Sequence, residues 1–129
     1  MANTPTQSLL TEAELELMLI LWELAEGTVR DVLAALPKDR NMAYTTASTI
    51  IRILEKKGFV SSRKEGKAHI YMPAMNKDEY EANTLNHMLG KLFQDAPVSL
   101  VARLIDSKNL SQEEISEIKA LLNKSQQKK

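Results

Sequence analysis

Between Asn41 and Gly58 the chain reads NMAYTTASTIIRILEKKG, with its apolar residues at helical spacing. Ala43, Ala47, Ile50, Ile51 and Leu54 fall on one stripe, as the buried side of an amphipathic helix requires. Thr45, Ser48, Thr49, Arg52 and Lys56 fall on the other, a face of hydroxyls and cations without a carboxylate. By itself this pattern also describes a surface helix whose polar side is merely solvated. After Gly58 the period changes from helical to two-fold. Phe59 to Arg63 and Ala68 to Pro73 are β-prone runs around the charged turn Lys64-Glu65-Gly66-Lys67, which predicts a hairpin. Its tip is basic, with Arg63, Lys64 and Lys67 against Glu65. A hydroxyl-and-cation helix followed by a basic hairpin is the pattern of a winged helix-turn-helix. In that architecture the helix enters a major groove and the hairpin rests on flanking backbone.

Upstream, Thr11-Glu12-Ala13-Glu14 forms a capping box, and the helix it opens carries Ala13, Leu17, Ile20, Leu21 and Leu24 on one face. Gly27 predicts its stop, near Glu26-Gly27. Thr28 then caps a shorter helix, Val29 to Leu36, with Asp31 at the favourable third position and Pro37 beyond its end. Val29, Val32, Leu33 and Leu36, the two flanking helices and Phe59, Val60, Ile70 and Met72 supply one small core. Downstream, Asn76 predicts the cap of a long helix reaching about Phe93, Pro97 the first turn of another, and Ser111-Gln112-Glu113-Glu114 a further capping box. The expected organisation is a disordered N-terminus over 1–9, a winged helix-turn-helix domain over 10–74, a helical dimerisation domain over 75–124 and a frayed tail over 125–129. The fold class is mainly α, an α+β winged helix with a C-terminal helical segment. That segment has apolar faces and too few residues to cover them, so it is marginal alone. Leu85, Met88, Leu92, Leu100, Val101, Leu104, Ile115, Ile118 and Leu122 are the residues expected to meet a second copy, making the protein a homodimer. The competing arrangement packs these helices back on the N-terminal unit.

Composition changes the picture in two ways. The chain has no cysteine, which removes disulfides, thiolate metal sites and cysteine nucleophiles together. No apolar run approaches the roughly 20 residues of a membrane span, and the N-terminus lacks a signal-like core, so the expectation is a cytoplasmic protein without a membrane partner. Net charge is zero, yet from Lys38 to His69 eight cations face three acids, a local +5. Ser8 to Gly27 carries five glutamates and no cation, and Lys77 to Asn123 is −3. A basic segment inside a neutral chain is a local polyanion footprint.

Nothing in the sequence assembles a catalytic or metal centre. His69 and His87 each stand alone without a ligand or HExxH pattern, and a lone histidine is ordinarily structural or solvated. The glutamates of the first helix read as a solvated acidic face, and the glycines form no phosphate loop. The expectation is a non-enzyme without cofactor or metal.

The segments LTEAELELMLILWEL, TVRDVLAALP, AYTTASTIIRILEKKGFV and KEGKAHIYMP resemble the BlaI/MecI penicillinase-repressor family over roughly residues 10–124. That family includes the copper-responsive CopY repressors. The resemblance implies a homodimeric winged-helix repressor on inverted-repeat double-stranded DNA, dimerised through C-terminal helices. It places Tyr44, Thr45, Thr46, Ser48, Thr49 and Arg52, in a recognition helix over about 44–57, toward DNA. Thr28 and Arg30, with Arg63, Lys64 and Lys67 of the wing over 59–73, would meet backbone. Two departures stand out. The cysteine cluster of the copper branch is absent. The Asn-Phe bond at which an inducing protease inactivates the β-lactam branch is matched by Arg103-Leu104. The alternative reading is a winged helix that binds protein instead of an operator, but such a face would more often expose aromatics.

Overall fold

The computed structural model describes residues 9–107 and 110–127, in the order α1 (Glu12–Leu24), α2 (Val29–Ala34), α3 (Tyr44–Lys57), β1 (Val60–Glu65), β2 (Ala68–Pro73), α4 (Lys77–Lys91), α5 (Pro97–Ser107) and α6 (Gln112–Gln127). This is the mainly α winged helix the pattern predicts. Residues 1–8, which include most of the expected disordered start, and 128–129 of the expected frayed tail lie outside the described residues.

Local chemistry explains several of these boundaries. Thr11 and Glu14 form the predicted capping box, Thr11 Oγ1 accepting from the Glu14 N–H and Glu14 Oε1 from the Thr11 N–H. Thr28 and Asp31 form a second one at α2. Gly58 ends α3 with φ 92°, a left-handed conformation in which a side chain would be strained. Gly66, at φ 61°, takes the first position of the two-residue turn between β1 and β2. β1 therefore runs two residues past Arg63, where the sequence pattern predicts the turn to begin.

Other boundaries differ from expectation too: α2 ends at Ala34 instead of Leu36, and α4 at Lys91 instead of about Phe93. α1 stops on Ala25, a non-glycine at φ 73°, two residues before Gly27. Gly27 pairs instead with Tyr71 through two backbone hydrogen bonds of 2.9 and 2.8 Å. At the other end, α6 continues to Gln127, into the stretch expected to fray, since no glycine or proline interrupts Ser125-Gln126-Gln127.

The chain divides into two compact units, through His87 and from Met88, with α4 running across the division. In the first, Leu17, Met18, Leu21, Val32, Ala47, Ile51, Leu54 and Phe59 are fully buried. Met18, not Leu24, completes the inner face of α1, and Leu24 is exposed. The unit ends later than the expected boundary at residue 74 because Met75 and Tyr80 are core residues. Tyr80 packs edge-on against Phe59 at 5.9 Å, and its hydroxyl accepts the Leu10 N–H at 3.0 Å. Trp22 Nε1 donates to the Met75 carbonyl at 2.8 Å.

The described residues of the second unit form no such centre. Among its described residues, none in α5 or α6 is buried, and Val98 is 80% exposed. Val101, Leu104, Ile105, Leu110, Ile115 and Ile118 line an open apolar cleft of about 620 Å³ between α5 and α6.

Among its described residues the first unit has one buried charge, Glu14, and it receives Lys57 Nζ on both carboxylate oxygens at 3.0 Å. This pair ties the last turn of α3 to the first turn of α1. Burial pushes the Glu14 carboxyl up, but the Thr11 N–H and the Lys57 ammonium outweigh it and hold the pKa below the ordinary value. A depressed folded-state pKa contributes stability that is full above the unfolded pKa and disappears as pH falls through the folded one. Glu14→Gln should therefore lower the unfolding free energy at pH 7 by about 1–2 kcal/mol, discounted for the exposure of Lys57. In urea melts that difference should shrink to nothing as the pH is taken below the ordinary glutamate range.

Candidate nucleic-acid interface

α3 is positioned by its inner face. With Ala47, Ile51 and Leu54 fully buried, helical geometry turns Tyr44, Thr45, Thr46, Thr49 and Arg52 outward, and all five are exposed. Ser48 is half-buried at the edge. The helix contains a single carboxylate, Glu55, which is turned to the wing and accepts the Ser62 hydroxyl at 2.6 Å. The outward face is thus left with donors, hydroxyls and methyls, and no negative charge.

The pairing register arranges the wing. Ser62 opposite Tyr71 and Lys64 opposite His69 lie on one side of the hairpin, while Arg63 lies on the other with Ile70 and Met72. Arg63 is not free. Its guanidinium donates to Glu26 at 2.9 and 3.0 Å and to Glu65 at 3.0 Å. These carboxylates raise the Arg63 pKa further above the physiological range, and Arg63 in turn holds the Glu26 carboxyl below its ordinary value. Of the three wing cations expected on backbone, Lys64 and Lys67 make no ion pair among the described residues, whereas Arg63 anchors the wing to the α1–α2 connection.

The same neutralisation runs through the basic segment. Arg40 bonds Glu16 through Nε and an η nitrogen at 2.8 and 3.1 Å, and Lys57 bonds Glu14. Three of the eight cations between Lys38 and His69 are thereby matched by glutamates of α1 and the turn after it. Lys38, Arg52, Lys56, Lys64 and Lys67 remain without an ion pair among the described residues. Arg30, from α2, joins them: its guanidinium lies over the Tyr44 ring at 5.0 Å. Thr28 is partly engaged otherwise, its side chain being spent on the α2 cap.

Gly27 sets how closely these parts meet. A Cβ there would stand 3.0 Å from Asp31 Cβ and 3.3 Å from Asp31 Oδ2, the oxygen that accepts the Thr28 N–H in the α2 capping box. The glycine thus lets the start of α2 and β2 approach the same short connection.

A helix-turn-helix whose second helix presents a carboxylate-free face, flanked by a two-stranded wing with open cations, defines a winged-helix DNA-binding protein. The family model described as penicillinase repressor matches residues 10–124. The chain belongs to that family, and it is a DNA-binding transcriptional repressor. It is 28% identical over 115 residues to the methicillin resistance regulatory protein MecI of Mammaliicoccus sciuri, covering 89% of this chain and 94% of that protein. To the penicillinase repressor of Bacillus licheniformis it is 27% identical over 120 residues, covering 93% and 94%. Among solved structures it resembles the monomeric form of B. licheniformis BlaI in complex with the blaP half-operator, at 29% identity and TM-score 0.48, over 56% of this chain and 88% of that one.

Gly27→Ala should cost about 1–2 kcal/mol, since the added methyl must displace the Asp31 cap. Calorimetry should show a lower unfolding midpoint. Gly90→Ala is the comparison: an added Cβ there stands 3.7 Å from its nearest neighbour, and α4 should gain slightly.

Proposed function

We propose that this protein represses transcription as a homodimer bound to an inverted-repeat operator, with one α3 in each of two major grooves on one side of the duplex. The observation that carries this reading is the outer face of α3: five exposed residues without a carboxylate, on a helix whose other face is fixed in the core. Thr45, Thr46 and Thr49 meet base edges or thymine methyls, for which short hydroxyl side chains allow close approach. Tyr44 and Ser48 flank them, and Arg52, Thr28, Arg30, Lys64 and Lys67 meet sugar-phosphate backbone. Arg63 holds the wing in place instead of contacting phosphate. A dimer over a promoter excludes polymerase, and with DNA as its partner the protein acts in the cytoplasm.

The second unit supplies the dimer contacts. Leu92, Val101, Leu104 and Leu122 are exposed apolar residues of a unit with no buried residue in α5 or α6, and Met88, Leu100, Ile115 and Ile118 add to that surface. Apolar surface on this scale is ordinarily covered in solution. Leu85, on α4, is also exposed and extends the set.

Two experiments separate these roles. Arg52→Ala should weaken binding to specific and scrambled duplexes alike and lower the salt slope by about 1, whereas Arg63→Ala should leave the slope unchanged. Thr46→Ala should reduce discrimination about fivefold with little effect on scrambled DNA. An Arg52→Ala protein with altered sequence preference and an intact salt slope would refute this division of labour. Leu104→Asp should raise the dimer dissociation constant at least about tenfold in sedimentation equilibrium while leaving the near-ultraviolet signal of Trp22 in place.

A further inference from the structure

Beside the outer face of α3 lies a small polar cleft of about 270 Å³, walled by α2, α3 and β2. Arg30, Arg52, Lys67 and His69 line it together with Ser48 and Tyr44, and no carboxylate does. The three cations come from α2, α3 and the turn of the hairpin, and make no ion pair among the described residues. Like charges are brought together here without a counter-ion, at a cost that an anion entering the cleft relieves.

The side chains are arranged for that anion. Arg30 Cζ lies over the Tyr44 ring at 5.0 Å, and its guanidinium has planar N–H donors that suit a phosphate oxygen. His69 is exposed, and its ring stacks on Tyr71 at 6.2 Å with 24° between planes. Tyr71 is itself buried and hydrogen-bonded through its backbone to Gly27, so the histidine rests on a fixed support. Imidazole has a ring N–H to donate in either protonation state. Opposite His69 in the sheet stands Lys64, on the same side of the wing.

We propose that this cleft seats one backbone phosphate of the bound duplex, and that His69 is one of the side chains that hold it. The inference rests on the DNA-binding reading of α3 and adds two things to it. Arg30, Arg52 and Lys67 act on the same phosphate instead of on separate ones, and a histidine that looks solvated in isolation joins the interface.

The test uses the full chain and a duplex that the wild-type protein recovers from a random-sequence pool. Neutral methylphosphonate linkages are placed at each backbone position in turn, and binding is measured for wild type, His69→Ala, His69→Gln and Arg52→Ala. One position in each half of the site should cost the wild type about tenfold, and the same position should cost His69→Ala and Arg52→Ala much less, because their partner is already gone. His69→Ala should itself bind about fivefold more weakly with an unchanged unfolding midpoint, and His69→Gln, which keeps an N–H donor, should recover most of the loss. A wild-type scan without such a position would overturn the seat, as would His69→Ala binding like wild type or an equal loss at every linkage in all variants. If the wild type recovers no duplex at all, the DNA-binding reading itself fails and the seat with it.

Discussion

Everything functional in the first unit depends on α3 having two incompatible faces. Ala47, Ile51 and Leu54 are completely buried, and this fixes the rotation of the helix about its axis. A turn of one residue, about 100°, would bury a threonine hydroxyl and expose a leucine, costing a few kcal/mol for each side chain. The orientation of Thr45, Thr46, Thr49 and Arg52 is therefore set by hydrophobic burial on the far side of the helix. The ends are held as well: Lys57 is bonded to Glu14, and Gly58 turns the chain sharply into the wing. Burial thus orients a polar surface that contributes little to stability itself.

Charge is organised by the same fold. The acidic first helix and the basic segment after it are separate along the chain, and folding sets them against each other at Glu14–Lys57, Glu16–Arg40 and Glu26–Arg63. The pairs consume cations on the side of the unit nearest α1. Of the cations left without an ion pair among the described residues, Arg30, Arg52 and Lys67 gather with His69 around one cleft, Lys64 is on the same side of the wing, and Lys38 and Lys56 stand outside it. A neutral protein can in this way present a concentrated positive surface, while its overall balance limits attraction to arbitrary DNA.

Features governed by local chemistry were legible in the sequence. The capping boxes at Thr11 and Thr28, the left-handed glycine at Gly58 and the alternation around Gly66 each carry their own signature, and the elements stand where those signatures put them. Features that depend on distant partners were not. Arg63 looks like a free cation until Glu26, 37 residues away, is brought beside it. His69 looks isolated until the register places it opposite Lys64 and beside the cleft of Arg30 and Arg52. The stop at Ala25 has no signature, because a positive φ on alanine is tolerated only where tertiary packing enforces it. Tyr80, one turn into a helix that reads as part of the C-terminal segment, gives no local sign that it completes the core of the first unit.

Hydroxyl-radical footprinting of the full chain on a recovered duplex reads directly whether two copies of α3 occupy successive major grooves on one side of it. Two protected patches should then lie on the same side, their centres one helical turn (about 10–10.5 base pairs) or a whole multiple of it apart. A single patch at saturating protein, or two patches on opposite sides of the duplex, would contradict that arrangement.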